Sequence, residues 1–155
     1  FIKSFYQERK NLILKNQDQW IKSHIFFDKS FELIKKWSTS RRVKFSIISL
    51  KDKESIKILL KNKGFNNINI IDKSEISNKP DGLNLFSNKY KISKNNIFFV
   101  DDNPLHLNQC LKSGFENVYM PSWNKTCSKY TKSYPHLKFA DNNLIDNYLS
   151  KRIIF

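Results

Sequence analysis

Apolar positions in the first quarter of the chain recur at the spacing of amphipathic helices. Residues 1–38 follow the pattern of amphipathic helices, and the pattern is interrupted around residues 24–28. We therefore predict a helical N-terminal segment with one break. The apolar positions that carry it are Phe5, Leu12, Ile13, Trp20, Ile21, Phe31, Leu33, Ile34 and Trp37.

Beyond residue 42 the pattern changes to short runs rich in β-branched and aromatic residues. Each run is bounded by polar, turn-forming residues, which is typical of β-strands. A mixed tail follows the last run and ends in a predicted helix over residues 142–150. The predicted strands are VKFSIIS (43–49), NINII (67–71), NIFFV (96–100) and NVYM (117–120).

Helices are predicted between these strands from their end signals. Asp52 is a natural N-cap, and Pro80 and Pro104 suit the first turn of a helix. Gly64 and Gly114 close the first and the third of these helices.

Strands that alternate with helices of this length predict an α/β fold. A crossover helix carries the chain back to the end of the sheet at which the previous strand began, so the strands are expected to be parallel. Helices on both faces of that sheet would give a Rossmann-like three-layer sandwich with a parallel central sheet. We expect this core over residues 41–155, and in such sheets ligands bind at the carboxyl ends of the strands.

The charge of the chain allows two interpretations. A formal net charge of +14 in 155 residues, with a pI near 9.8, fits a protein that binds nucleic acid or another anionic partner. Lysines supply nearly all of this charge and are spread along the chain, whereas nucleic-acid readers rely on arginine for bidentate contacts. Nucleic acid is therefore the less favoured partner. Arginine is confined to Arg9, Arg41, Arg42 and Arg152.

Two further features narrow the class of protein. No apolar run approaches 18 residues and no signal-peptide pattern occurs, so no membrane partner is expected. Cys110 and Cys127 do not form a metal-type pair, which favours a reducing, cytoplasmic setting.

Polar residues that could carry chemistry follow the ends of three predicted strands. They are Ser49, Lys79 before Pro80, and the pair Asp101 and Asp102. Adjacent carboxylates repel each other unless a cation lies beside them, and hard oxygen ligands suit Mg²⁺. Each residue also has an ordinary structural interpretation, as a loop start, a surface lysine or a turn and helix cap.

The order of these residues resembles that of the haloacid dehalogenase-like (HAD) superfamily. In that family a hydroxyl residue ends the second core strand, as in FSIIS with Ser49. A lysine follows, often as Lys-Pro, as in SNKPDGL with Lys79, and acids close a later strand, as in NIFFVDDNP. The resemblance covers about residues 29–123. Receiver domains place their acid pair first and their lysine last, so the order here favours the HAD family.

One motif of that family is missing from the sequence. HAD proteins carry Asp-x-Asp after their first strand, and no Asp-x-Asp occurs here. The resemblance places that first strand in the centre of the sheet, between strands 43–49 and 96–100, so that strand 96–101 would not lie at an edge. We therefore expect this chain to be a fragment in which a short strand and the nucleophile loop precede Phe1. Residues 1–40 would be the helical cap.

The resemblance implies a phosphomonoester hydrolase that acts on a small phosphorylated substrate through an aspartyl-phosphate and Mg²⁺. Asp101 and Asp102 would hold the metal, and Ser49 and Lys79 would serve catalysis and phosphate binding. Two alternatives stay open. One is a HAD-like binding module without catalysis, and the other is a phosphatase acting on nucleic-acid ends.

Overall fold

The computed structural model describes residues 2–124 and 127–151 of the chain. The helices in these residues are α1 (Ile2–Lys15), α2 (Gln17–Lys22), α3 (Asp28–Ser38), α4 (Lys53–Asn62), α5 (Lys79–Tyr90), α6 (Pro104–Lys112) and α7 (Asn142–Lys151). The strands are β1 (Ser46–Ile48), β2 (Asn69–Ile71), β3 (Phe99–Val100), β4 (Val118–Pro121) and β5 (Lys138–Ala140). Two 3₁₀ turns lie at Lys94–Asn96 and Cys127–Tyr130.

The strands form two separate parallel sheets within the described residues. β1 pairs with β2, whereas β3, β4 and β5 make a three-stranded sheet in that order. Every pairing is parallel, which confirms a mixed α/β chain with parallel sheets. β3 is an edge strand of its sheet in the described chain. The expectation of a flanked position for strand 96–101 is wrong for these residues.

The N-terminal segment is helical, as its apolar spacing predicted. The predicted break separates α2 from α3. A second break, which the spacing did not indicate, occurs at Asn16, whose side chain caps α2 by accepting a hydrogen bond from the backbone N–H of Gln19. The residues of α2 and α3 that this arrangement buries are Trp20, Ile21 and Trp37.

The ends of the later helices also lie where the sequence placed them. Asp52, Asn78 and Asn103 each accept a backbone hydrogen bond at the start of α4, α5 and α6. Gly64 and Gly114 follow α4 and α6 with φ angles of 82° and 84°, a left-handed conformation that costs glycine little. These signals are local, so they can be read without knowledge of the tertiary structure.

Three of the four predicted strands are shorter than expected, because a strand extends only as far as its partner, whereas β4 keeps its four residues and is shifted by one. β1 begins at Ser46 rather than Val43, where it meets the first residue of β2, Asn69. β3 is confined to the two residues that pair with β4, Phe99 with Val118 and Val100 with Tyr119. β5 has no counterpart among the predicted strands, since its three residues depend on pairing with β4.

Two apolar clusters hold the elements together. The larger one packs α5 and α6 against β2, β3 and β4, and the smaller one packs α4 against β1 and β2. None of the described helices is long and apolar enough to cross a membrane. The largest fully buried apolar side chains are Leu83, Leu107, Cys110, Phe115, Val118, Met120 and Cys127.

Gly82 lets α5 approach β1 closely. A side chain at this position would collide with the side chain of Ile48 on β1. The close packing brings the first turn of α5, and with it Lys79, to the carboxyl end of β1.

Candidate functional site

Lys79 is a buried lysine that joins the carboxyl ends of β1 and β3. Its Nζ donates a hydrogen bond to the backbone carbonyl of Ile48 at 2.6 Å. The same atom forms an ion pair with Oδ2 of Asp101 at 3.0 Å, and both side chains are 8% exposed. A lysine is rarely buried unless it is paired, so this position is strongly constrained.

Asp101 is held from several sides. Its backbone N–H donates to the carbonyl of Tyr119, which fixes the residue at the end of β3. Its Oδ1 accepts a hydrogen bond from the backbone N–H of Asn103 at 2.9 Å and lies 3.1 Å from Nδ1 of His106. With Lys79 on Oδ2, both carboxylate oxygens are engaged by the protein.

Ser49 lies next to the carbonyl that Lys79 binds. Its backbone N–H donates to the carbonyl of Ile71, and its Oγ accepts a hydrogen bond from the backbone N–H of Lys51 at 3.1 Å. The oxygen of Ser49 therefore stabilises the start of the loop after β1, which is the ordinary structural interpretation of this residue. Its hydroxyl proton can still be donated to a ligand, because a serine hydroxyl both donates and accepts.

Asp102 has a different environment from its neighbour. It is exposed, and its Oδ2 lies 3.5 Å from Nδ2 of Asn124. It lines an open cavity of about 420 Å³ at the start of α6. The other lining residues are Asn103, Pro104, Leu105, Asn124, Tyr130 and Tyr134.

The four residues named from the sequence thus fall into two groups. Lys79 and Asp101 are in direct contact, and Ser49 adjoins the carbonyl that Lys79 binds. Asp102 shares the strand end with them but faces the cavity. His106 was not singled out from the sequence, although it contacts Asp101. The available signal was its position in the first turn of α6, which Pro104 begins.

The first helix covers the neighbouring part of the same edge. The hydroxyl of Tyr6 donates to the carbonyl of Leu50 at 2.8 Å, and Arg9 forms an ion pair with Asp52 at 3.0 Å. Nζ of Lys73 lies over the ring of Tyr6. α1 therefore lies against the loops that follow β1 and β2.

The carboxylates at this edge fit a hard divalent cation. No group of three or more His, Cys, Asp or Glu side chains in the described residues is placed to hold a metal. Mg²⁺ does not need such a group, since it is commonly bound by one or two carboxylates together with phosphate and water. The exposed carboxylate of Asp102 provides oxygen ligands of this kind, whereas both carboxylate oxygens of Asp101 are already engaged by the protein.

The two cysteines are unsuited to nucleophilic chemistry. Burial, together with the charge of Asp101, raises the pKa of the Cys110 thiol to about 12. Burial and the charges of Asp102 and Asp101 also raise the pKa of Cys127. Both thiols are free and protonated at neutral pH, and a thiol reacts only as its thiolate.

No family model matches the chain, and it has no match among curated proteins or solved structures. The function is therefore inferred from its residues and their geometry.

Proposed function

We propose that this chain forms most of a Mg²⁺-dependent phosphomonoester hydrolase of the HAD type, with a Rossmann-like three-layer core. Its substrate would be a small phosphorylated molecule. The nucleophilic aspartate would come from a polypeptide segment outside these 155 residues. The observation that supports the proposal most directly is Lys79, buried between a strand-end carbonyl and the carboxylate of Asp101.

Removing a lysine from water is costly unless its charge is compensated. Here a single carboxylate compensates it, at the edge where ligands of parallel sheets bind. A phosphoryl group brings two or more negative oxygens, and a fixed ammonium lowers the free energy of binding them without any reorganisation. Lys79 would thus orient the phosphoryl group and the attacking carboxylate.

The remaining residues have complementary roles in this proposal. Ser49 would donate its hydroxyl proton to a phosphoryl oxygen. Asp102 would bind Mg²⁺ directly, and Asp101 would hold Lys79 in place while contributing negative charge beside the metal. When bound, Mg²⁺ supplies electrostatic neutralisation of the transferring group. The cavity beside Asp102 offers space for the rest of the substrate.

Ligand binding by the 155-residue chain tests the phosphate site without requiring turnover. Titration calorimetry with inorganic phosphate and Mg²⁺ should give a saturable signal that Lys79→Met abolishes. Lys112→Met changes an exposed lysine of α6 and is the matched control, for which unchanged binding is expected. Equal binding by both variants would contradict the role of Lys79.

Measurement of turnover tests whether the nucleophile lies outside these 155 residues. The chain by itself should not hydrolyse p-nitrophenyl phosphate, because charged side chains alone cannot form the covalent intermediate. Adding the natural upstream segment should give Mg²⁺-dependent hydrolysis if that segment carries Asp-x-Asp. Hydrolysis by the unextended chain would show that another residue attacks phosphorus. An upstream segment without Asp-x-Asp would favour the binding module.

A further inference from the structure

Two lysines follow the carboxyl ends of the paired strands β1 and β2. Lys51 comes three residues after Ile48, the last residue of β1. Lys73 comes two residues after Ile71, which pairs with Ile48 in the parallel register. Three residues of extended chain span at most about 11 Å, so the backbone of Lys51 lies within that distance of Ile48, whose carbonyl Lys79 binds.

One face of α1 contacts the loop that carries Lys51. Tyr6 and Arg9 are three residues apart and therefore lie on the same side of the helix. The hydroxyl of Tyr6 donates to the carbonyl of Leu50. Arg9 forms its ion pair with the carboxylate of Asp52. The two contacts of α1 thus fix the residues on either side of Lys51.

The ring of Tyr6 brings the second lysine to the same place. Nζ of Lys73 lies over this ring, and the guanidinium of Arg9 lies 5.1 Å from its centroid. The hydroxyl of the same ring is bonded to the residue before Lys51. Three cationic side chains from α1 and two loops therefore lie around one tyrosine.

Two carboxylates near these cations are already engaged by the fold. Asp52 pairs with Arg9 through Oδ2, and its Oδ1 accepts the backbone N–H of Ser55 at the start of α4. Asp72 is buried, and both of its carboxylate oxygens accept backbone hydrogen bonds. The oxygens of both aspartates are thus committed to the ends of local elements.

Lys51 and Lys73 lack a partner of this kind. Within the part of the chain that the structure describes, neither ammonium forms an ion pair with a carboxylate. Burial lowers the pKa of Lys51, and the charge of Arg9 lowers it further, whereas that of Asp52 raises it. Like charges that are held close together repel each other, and an anion between them removes this repulsion.

We propose that Arg9, Lys51 and Lys73 bind a second anionic group of the substrate, which is either a phosphate or a carboxylate. Lysines act as point charges on such groups, and a guanidinium paired through one nitrogen keeps further N–H donors. The inference rests on the proposed function, in which Lys79 holds the phosphoryl group that is transferred. It narrows the substrate to a phosphomonoester whose leaving group carries a negative charge of its own.

The position of the cluster suits two anionic groups of one small molecule. The cluster and the carbonyl bound by Lys79 lie at the carboxyl end of the same strand, β1. A short carbon chain can join two groups over such a distance. Binding of one group then raises the effective concentration of the other, so the second group increases affinity without a change in the first site.

The test compares three ligands of the 155-residue chain in excess Mg²⁺ at constant ionic strength. Propyl phosphate has one anionic group, propane-1,3-diyl bisphosphate has a second phosphate, and 3-(phosphonooxy)propanoate has a carboxylate in its place. Titration calorimetry should give an affinity about tenfold higher for one of the two doubly anionic ligands than for propyl phosphate. The ligand that binds more tightly identifies the second group as phosphate or carboxylate.

Variants separate this cluster from the general positive charge of the protein. The double variant Lys51→Met, Lys73→Met should bind the preferred doubly anionic ligand only as well as propyl phosphate, and its affinity for propyl phosphate should be unchanged. Lys61→Met removes an exposed lysine of α4 and should change neither affinity. Urea denaturation checks that each variant is folded. If the double variant is not, each single variant should lose part of the tenfold preference.

The outcomes distinguish this inference from the proposed function. Equal affinities for all three ligands, or a preference that survives in the double variant, would overturn the inference while phosphate binding through Lys79 still stood. The same is true of a preference that Lys61→Met reduces equally, since the general charge would then explain it. Doubly anionic ligands that bind through Lys51 and Lys73 but are unaffected by Lys79→Met would overturn the shared substrate and the role of Lys79 together. A folded chain that binds none of the ligands would contradict both proposals.

Discussion

Asp101 and Asp102 are adjacent in sequence but belong to different regions of the molecule. Asp101 lies in the buried edge between the two sheets, where the protein engages both of its carboxylate oxygens. Asp102 lies in the open cavity at the start of α6, where its Oδ2 is 3.5 Å from Nδ2 of Asn124. Two adjacent aspartates can thus differ in their surroundings. Contacts hold the carboxylate of Asp101 in place, and we call it the fixed carboxylate. The carboxylate of Asp102 is exposed, and we call it the adaptable carboxylate.

The largest effect on stability is expected from breaking the ion pair between Lys79 and Asp101. Lys79→Met leaves the buried carboxylate of Asp101 without its ammonium partner, and we expect the free energy of unfolding to fall by about 3 kcal/mol. Urea denaturation measures this change. Lys57→Met alters an exposed lysine paired with Glu54 and should cost less than about 0.5 kcal/mol. Adding Asp101→Asn to Lys79→Met should restore part of the loss, and no recovery would contradict the pairing.

The carboxylate of Asp72 is also buried, and it predicts how the stability of the fold depends on pH. Asp72 follows β2 and accepts hydrogen bonds from Lys53 and Ser74. Burial raises its pKa, but these hydrogen bonds outweigh that effect and hold the pKa below its usual value of 3.8. Its contribution is therefore fully present above about pH 4 and is lost as the pH falls through the lowered pKa.

Asp72→Asn should thus lower stability at pH 7 by about 2 kcal/mol, the value of hydrogen bonds to a charged group. Below the lowered pKa of Asp72 the variant and the parent should become more alike, as denaturation at several pH values would show. Asp28→Asn changes an exposed carboxylate and provides the control. A loss that does not depend on pH would show that the charge of Asp72 is unimportant.

A smaller effect on stability is expected at Gly82, where the close packing of α5 against β1 positions Lys79. Gly82→Ala places a methyl group against Ile48, and overpacking of this kind costs about 1–3 kcal/mol. Asn88→Ala, at an exposed position on the same helix, should not destabilise the chain. Ile48→Ala removes the opposing methyl group, so Gly82→Ala should cost less in that background. Thermal unfolding of the four variants measures this coupling.

The smallest effect on stability is expected at the adaptable carboxylate. Asp102→Asn should change the free energy of unfolding by less than about 0.5 kcal/mol, as surface substitutions usually do. If Asp102 binds Mg²⁺, the same variant should show weaker Mg²⁺ binding in calorimetry. A large loss of stability with unchanged Mg²⁺ binding would reverse the assignment of the two carboxylates.

The sequence predicted those parts of the fold that depend on near neighbours. Asp52, Pro80 and Pro104 located helix starts, because capping and the fixed φ of proline act within one turn. The length of β1 could not be obtained in this way, since it depends on β2, more than 20 residues further along the chain. The same reason explains why β5 was missed.

The sequence also predicted only part of the candidate site. Lys79 and Asp101 were both named, because each follows a recognisable strand, and they are in contact. The contrast between Asp101 and Asp102 could not be predicted, since it depends on which way each side chain leaves the end of β3. The cavity beside Asp102 was also missed, because Tyr130 and Tyr134 come from a region without a periodic pattern.

The burial of both thiols has a practical consequence for labelling experiments. Cys110 and Cys127 are at most 1% exposed and stay protonated at neutral pH, so maleimide reagents should react with them slowly in the folded chain. A cysteine introduced on the exposed surface, for example at Lys57, would then be the fast-reacting position. A fluorophore or spin label can therefore be attached at one chosen position while both native cysteines are kept.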